Sequence, residues 1–163
     1  MTHSHDSRAG LHWAATRDRG FTLIELMITV VIASILMTIA FPVYLHQIRE
    51  SRRTDARSAL LDLASREERY YATNNVYTDV AANLGYTAWP QVVGSGYYDV
   101  NQPTNINAPT ATSPATFTLS ATPIAGKGQD RDSDCQTFTV TQAGQELSTN
   151  SASADSSSTC WGQ

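Results

Sequence analysis

Chemistry-bearing side chains are scarce in this chain, and each scarcity closes off a class of function. There are two cysteines and four histidines in 163 residues. His3, His5 and His12 precede residue 20 and His46 stands alone, so no metal-ligand set or nucleophile–base pair is assembled downstream. The cysteines are too far apart for a C-x-x-C redox motif. Basic excess is missing as well. The formal net charge is −4, and after residue 75 the only cations are Lys127 and Arg131, too little for a general nucleic-acid grip. What remains is a structural or interaction protein with no resident cofactor and no enzymatic constellation.

A conventional secretory signal is also lacking. Residues 1–20 are polar (His3, His5, Asp6, Arg8, Arg17, Asp18, Arg19), and no A-x-A site follows the apolar stretch behind them. That stretch, Phe21 to Leu45, is long enough for a helix of roughly 37 Å, which spans a bilayer core with some tilt. Its one charge is Glu25. A carboxylate inside a membrane helix costs about 2.5–3.5 kcal/mol on insertion scales, so Glu25 demands a partner or a role. Charge counting does not set the orientation, because Arg8, Arg17 and Arg19 precede the span while Arg49, Arg52, Arg53 and Arg57 follow it.

Gly20-Phe21-Thr22-Leu23-Ile24-Glu25-Leu26-Met27 resembles the processing and assembly motif of type IV prepilins and pseudopilins. The resemblance implies that a membrane-bound prepilin peptidase cuts between Gly20 and Phe21, that Phe21 is then N-methylated, and that Glu25 supports filament assembly. Three segments follow from it: a leader over 1–20, a transmembrane and filament-core segment over 21–45, and a periplasmic or extracellular head over 46–163. The N-terminus is then cytoplasmic, the subunit is single-pass in the inner membrane before assembly, and it lies on the pilus surface afterwards. Its partners are other pilin subunits, the prepilin peptidase and the inner-membrane assembly platform. Physics supports the role of Glu25, since cleavage leaves an ammonium on Phe21 that needs an anion at matching depth in a bundle of staggered helices. Losing the leader with Asp6, Arg8, Arg17, Asp18 and Arg19 takes the formal charge from −4 to −5. Pro42 deletes a helical hydrogen bond inside the run and predicts a kink around Thr38 to Pro42; it also resembles the helix-loosening proline of type IV pilins.

Beyond Leu45 the pattern becomes amphipathic. Ile48, Ala56, Ala59, Leu60, Leu63, Tyr70 and Tyr71 recur at three- and four-residue steps, while Arg49, Glu50, Arg53, Arg57, Asp62 and Arg66 occupy other faces and read as solvated. Asp62 and Arg66 are a favourable i,i+4 pair. One helix from about Thr22 to Ala72 is expected, ended by Thr73-Asn74-Asn75. The runs Arg52-Arg53-Thr54-Asp55-Ala56-Arg57 and Glu67-Glu68-Arg69-Tyr70-Tyr71, with Tyr77, resemble the PilE-like branch of minor pilins.

From Val76 to Ala115 glycines and prolines predict loop, with one short strand near Tyr97 to Val100 and with Tyr77, Tyr86, Trp89, Tyr97 and Tyr98 filling the core. Thr116–Thr122 and Thr137–Thr141 alternate strictly, which predicts strands with Phe117, Leu119, Phe138 and Val140 facing the helix. A turn at Gln142 to Gln145 leads to a last short strand near Glu146 to Ser148. The fold class is thus α+β: a long N-terminal helix, apolar in its first half, packed on a small antiparallel sheet. In an exported chain the even pair Cys135 and Cys160 reads as a disulfide, which would pin the tail Ser148 to Thr159 and resembles the disulfide-bounded region of type IV pilins.

Asp130-Arg131-Asp132-Ser133-Asp134 imitates the start of a calcium-binding EF-hand loop. Cys135 stands where that loop needs glycine and Thr141 where it needs glutamate, so Asp130, Asp132 and Asp134 are a weak calcium candidate and a solvated acidic turn is favoured. The function expected is that of a minor pilin in a type IV pilus, supporting assembly, twitching motility and adhesion. The alternatives left open are a type II secretion pseudopilin and a DNA-uptake pilin.

Overall fold

A computed structural model describes residues 20–162. The leader residues 1–19, with their three histidines and the cations Arg8, Arg17 and Arg19, lie outside the described residues. The chain divides into two units, Met1–Phe41 and Pro42–Gln163. Helix α1 (Leu23–Asn74) carries Pro42 within it, and the helical assignment runs through that residue.

In the first unit, Thr22 opens the helix. The Glu25 N–H donates to Thr22 Oγ1 at 3.3 Å, satisfying one of the donors that a helix start leaves free. The apolar side chains that follow are exposed, Leu23 at 78% and Ile35 at 57%. The helix is long and apolar enough to cross a membrane by length and composition. Three hydroxyls in it are satisfied locally. Thr29, Ser34 and Thr38 donate to the carbonyls of Leu26, Val31 and Ile35 at 2.7–2.8 Å, which leaves no free hydroxyl proton to desolvate.

In the second unit the rest of α1 buries a narrow stripe: Arg53, Ala56, Leu60, Leu63 and Glu67, at steps of three and four. This stripe faces an antiparallel sheet of β1 (Gln91–Val93), β2 (Tyr98–Val100), β3 (Thr104–Asn107), β4 (Thr116–Pro123), β5 (Thr137–Thr141) and β6 (Glu146–Thr149), in the order β1-β2-β4-β5-β6. β4 is long enough to hold two partners along one edge. Its second half pairs with β2, Val100 opposite Ala121, and its first half with β3, Asn107 opposite Thr116. Phe117, Leu119, Ala121, Phe138 and Val140 all point inward and join Leu60, Leu63, Tyr98 and Val100 in one core, as the alternation requires.

Three strands, where one was expected, occupy the region before β4. β1 and β3 are only three and four residues long, and Gln91, Asn105 and Asn107 carry no strand signal. Helix α1 runs two residues past Ala72, and Asn75 then leaves helical geometry at φ 57°. Tyr77 and Tyr98 are buried in the core, while Tyr86, Trp89 and Tyr97 pack on it half-exposed.

The Ser-rich tail is tied down at several points. Cys135 and Cys160 form a disulfide. The Asn150 side chain accepts from the Ala152 and Ala154 amides, Asp155 bridges to Thr149, and a short helix α2 (Ser157–Trp161) follows. The Trp161 indole donates to the Leu147 carbonyl at 2.9 Å and sets its ring edge-on to Phe138. Cross-linking across a separation of 25 residues stabilises by roughly 3.5 kcal/mol in the chain-entropy model. Cys160→Ser is therefore expected to lower the thermal midpoint by many degrees and to make the head protease-sensitive first between Leu147 and Trp161, read by calorimetry and by mass mapping of limited digests. Equal stability and an unchanged cleavage pattern would show that Trp161 and the backbone bridges hold the tail unaided.

Candidate functional site

At the N-terminal end, Gly20, Phe21, Thr22 and Glu25 line an open recess of about 280 Å³. Glu25 lies in the first turn of α1, where the helix dipole favours an anion. Among the described residues its carboxylate accepts no hydrogen bond and forms no ion pair. Gly20 offers no steric obstacle to an approaching group, since nothing lies within 4 Å of a Cβ built there. The structure thus brings the sequence motif into one place, with one uncompensated charge beside a run of exposed apolar side chains.

The head carries its own electrostatic centre, and here one expectation is overturned. Arg53 is not on a solvated face: it is 2% exposed and sits at the start of the buried stripe. Its Nε and Nη2 donate to the two oxygens of Asp132, both at 2.8 Å, and Nη1 donates to Glu50 at 3.0 Å. Gln129, fully buried, donates to Asp132 and to the Tyr98 hydroxyl at 3.0 Å each. The Asp132 contact does most to hold the Arg53 pKa above its ordinary value, against desolvation. A buried pair of this kind is weak evidence for net stability, but removing one partner strands the other, which typically costs about 3–5 kcal/mol. Arg57, half-exposed, extends the network to Glu50 at 2.8 Å.

The three aspartates of the calcium candidate have separate employments. Asp130 accepts from the Gly126 and Gly128 amides at 2.9 Å, and the Gly126 hydrogen bond is the main cause that lowers its pKa. Asp132 is committed to Arg53 and Gln129. Asp134 is exposed, with Arg53 Nη2 at 3.8 Å. Among the described residues no three His, Cys, Asp or Glu side chains are grouped to hold a metal ion.

The stripe ends on a second charge that the sequence reading passed over. Glu67 is fully buried; its Oε2 accepts from the Thr78 N–H at 3.1 Å, and its Oε1 has no hydrogen-bond partner. Burial pushes its pKa up to about 7, opposed by the Thr78 hydrogen bond and assisted by the neighbouring charges of Glu68 and Asp79. The signal was present in the spacing: positions 53, 56, 60, 63 and 67 continue one three-four rhythm, and only the polarity of the end residues concealed it.

A cationic ledge sits where α1 meets the β1–β2 turn. The Arg52 guanidinium lies 3.5 Å over the Tyr97 ring, and Lys127 Nζ donates to the Gly96 carbonyl at 2.8 Å. Asp55 fixes the turn by accepting from the amide and hydroxyl of Ser95. Gly94 lies so close that a Cβ there would run into the Asp55 carboxyl group, and its φ of 54° also favours glycine. Lys127 thus gains Arg52 and an aromatic face as neighbours of the same turn.

Residues 42–139, more than half the chain, match the family described as "Type IV minor pilin ComP, DNA uptake sequence receptor". Residues 15–41 match the prokaryotic N-terminal methylation motif. Over 70 residues the chain is 37% identical to the type IV major pilin protein PilA of Myxococcus xanthus (strain DK1622), covering 43% of this chain and 32% of that protein. The chain therefore spans about a third of the length of that relative.

Glu67 makes stability depend on pH with a defined sign. Its folded pKa of about 7 lies above the ordinary value of 4.5, so the folded head holds a proton that the unfolded chain releases between those values. Stability is accordingly full below about pH 4.5 for this group and falls as pH rises to about 7. Glu67→Gln is expected to flatten that slope and to raise the chemical-denaturation midpoint at pH 8. Parallel pH profiles of wild type and variant would contradict the assignment.

Proposed function

The chain belongs to the type IV minor pilin family described as ComP, and from that premise we propose that it is made as a prepilin, cut between Gly20 and Phe21, N-methylated on Phe21, and assembled through residues 21–45 into a pilus. Pilins are structural subunits and not an enzyme family. The observation that carries the reading is the isolated carboxylate of Glu25 at the head of an exposed apolar helix, within the stretch that matches the methylation motif. Exposed apolar surface of this extent needs lipid or other helices around it. In the membrane it is the anchor of a single-pass subunit with a cytoplasmic N-terminus; in the filament, neighbouring copies cover it, and the Phe21 ammonium of one subunit neutralises Glu25 of another. Pro42 loosens the helix at the boundary, and residues 46–163 form the exported head. The prepilin peptidase and the assembly platform are the partners this route requires. The family match over the head favours a pilus over a secretion pseudopilus; support of twitching motility and adhesion belongs to the same reading.

Mass spectrometry of sheared filaments is expected to find the chain starting at methylated Phe21. Glu25→Ala is expected to leave membrane insertion intact and to reduce incorporation into filaments several-fold, measured by immunoblot of membrane and sheared fractions. A chain beginning at Met1 in filaments, or normal incorporation of the variant, contradicts the assignment.

A second reading, capture of DNA by the head, is favoured by the family's description and by the ledge of Arg52, Tyr97 and Lys127, which joins cations to an aromatic face. The acidic balance of the chain makes such binding local to the ledge. Fluorescence anisotropy with duplex DNA at two salt concentrations is the measurement. The double variant Arg52→Ala, Lys127→Ala is expected to weaken binding and to reduce the log–log salt slope by about 2. Binding that ignores both substitutions moves the site elsewhere, and no binding at low salt removes the reading.

A further inference from the structure

The last two turns of α1 and a short 3-10 turn at Ala81–Leu84 flank an open polar recess of about 300 Å³ that lies apart from both the Glu25 recess and the ledge. One wall is built rigidly. Arg66 donates from Nε to Asp62 at 2.7 Å and from Nη1 to the Leu84 carbonyl at 2.9 Å, and it lies 5.0 Å over the Tyr86 ring. Gly85, at φ 79°, ends the 3-10 turn where any Cβ would press on that guanidinium.

The other groups are not spent. Arg69 is exposed and, among the described residues, its guanidinium has no hydrogen bond or ion pair. The Tyr70 hydroxyl accepts from Asn83 Nδ2 at 3.3 Å, which leaves its own proton to donate. Asn83 uses its amide hydrogens on Tyr70 and on Thr78 Oγ1, so its side-chain carbonyl is left as an acceptor. Asn74 likewise donates its amide to the Tyr70 carbonyl and keeps its oxygen free. The recess thus offers one unpaired cation and one hydroxyl donor beside two amide acceptors.

We propose that this recess binds an acidic sugar, a hexuronate-type residue of a polysaccharide, with its carboxylate on Arg69 and the Tyr70 hydroxyl and its ring hydroxyls donating to Asn74 and Asn83. The mixture of groups decides the class. A phosphodiester only accepts hydrogen bonds and would make no use of the two amide oxygens, which stay exposed, and a neutral hexose would make no use of the charge on Arg69. The volume suits a single ring at the small end of ligand sites.

The test uses the full chain in detergent, titrated with galacturonic acid and its trimer, with galactose, inorganic phosphate and duplex DNA as comparisons. Saturation-transfer NMR is expected to show binding of both acidic sugars and at least tenfold weaker binding of galactose. Arg69→Ala is expected to weaken the trimer at least tenfold and Tyr70→Phe several-fold, while Arg52→Ala leaves it unchanged. Arg69 is exposed and unpaired, so its loss does not endanger folding, and an unchanged thermal midpoint verifies this. No transfer to either acidic sugar, equal binding of galactose, or indifference to Arg69→Ala overturns the proposal. Displacement of the trimer by DNA or phosphate that bind more tightly, in an Arg69-dependent way, overturns it in favour of a phosphate site.

Discussion

Arg53 and Asp132 stand 79 residues apart in sequence and exchange two hydrogen bonds where water does not reach. A guanidinium or carboxylate left alone there would bear a desolvation penalty of several kcal/mol, so the pairing dictates where the segment between β4 and β5 must lie. The rest of the head follows from that placement. Gln129 and Tyr98 complete the shell around Asp132, which seats β2 against the same end of the helix. Three residues after Asp132, Cys135 fixes the tail, and Lys127 within the same segment ties down the β1–β2 turn that Asp55 grips from the helix. One charge pair thus registers helix, sheet and tail together.

The large features were legible because simple periodicities carry them. The apolar run with Glu25 in it, the three-four rhythm of α1, and the strict alternation of β4 and β5 each point to one structure, and two cysteines leave one pairing. What escaped was polar and buried. Arg53 and Glu67 lie on the same stripe as Leu60 and Leu63, but a reading that sorts residues by polarity assigns them to solvent; only the partner segments, distant in sequence, reveal that Asp132 and Thr78 wait for them. β1 and β3 escaped for another reason: they are short strands at the edge of the sheet, held by pairing with β2 and β4 and by side-chain bonds such as that of Asn107 to Thr116, not by apolar pattern. The methylation motif that matches residues 15–41 is a linear signal, whereas the groups at Arg52 and at Arg69 come from separate elements and have no linear signature.

The two ends of the buried stripe are not equivalent. Arg53 donates three hydrogen bonds to two carboxylates, with a buried unpartnered oxygen only on the adjoining Gln129, while Glu67 accepts one hydrogen bond and has an orphan oxygen of its own. One end of the stripe is thus held by charge-assisted bonds from a distant segment, and the other by a single backbone amide eleven residues on.

The same wiring sets a timetable. A polypeptide is made from its N-terminus, so the long helix emerges first, carrying a guanidinium whose counter-charge has not yet been synthesised. Every strand of the sheet is translated after α1, β5 and β6 after Asp132, and Cys160 after all of them. The helix finds Tyr98, Phe117 and Leu119 to pack against before Asp132 has been made, but the core lacks Phe138, Val140 and both cysteines until later. A chain stalled before Asp132 therefore holds Arg53 at the core's edge without its counter-charge.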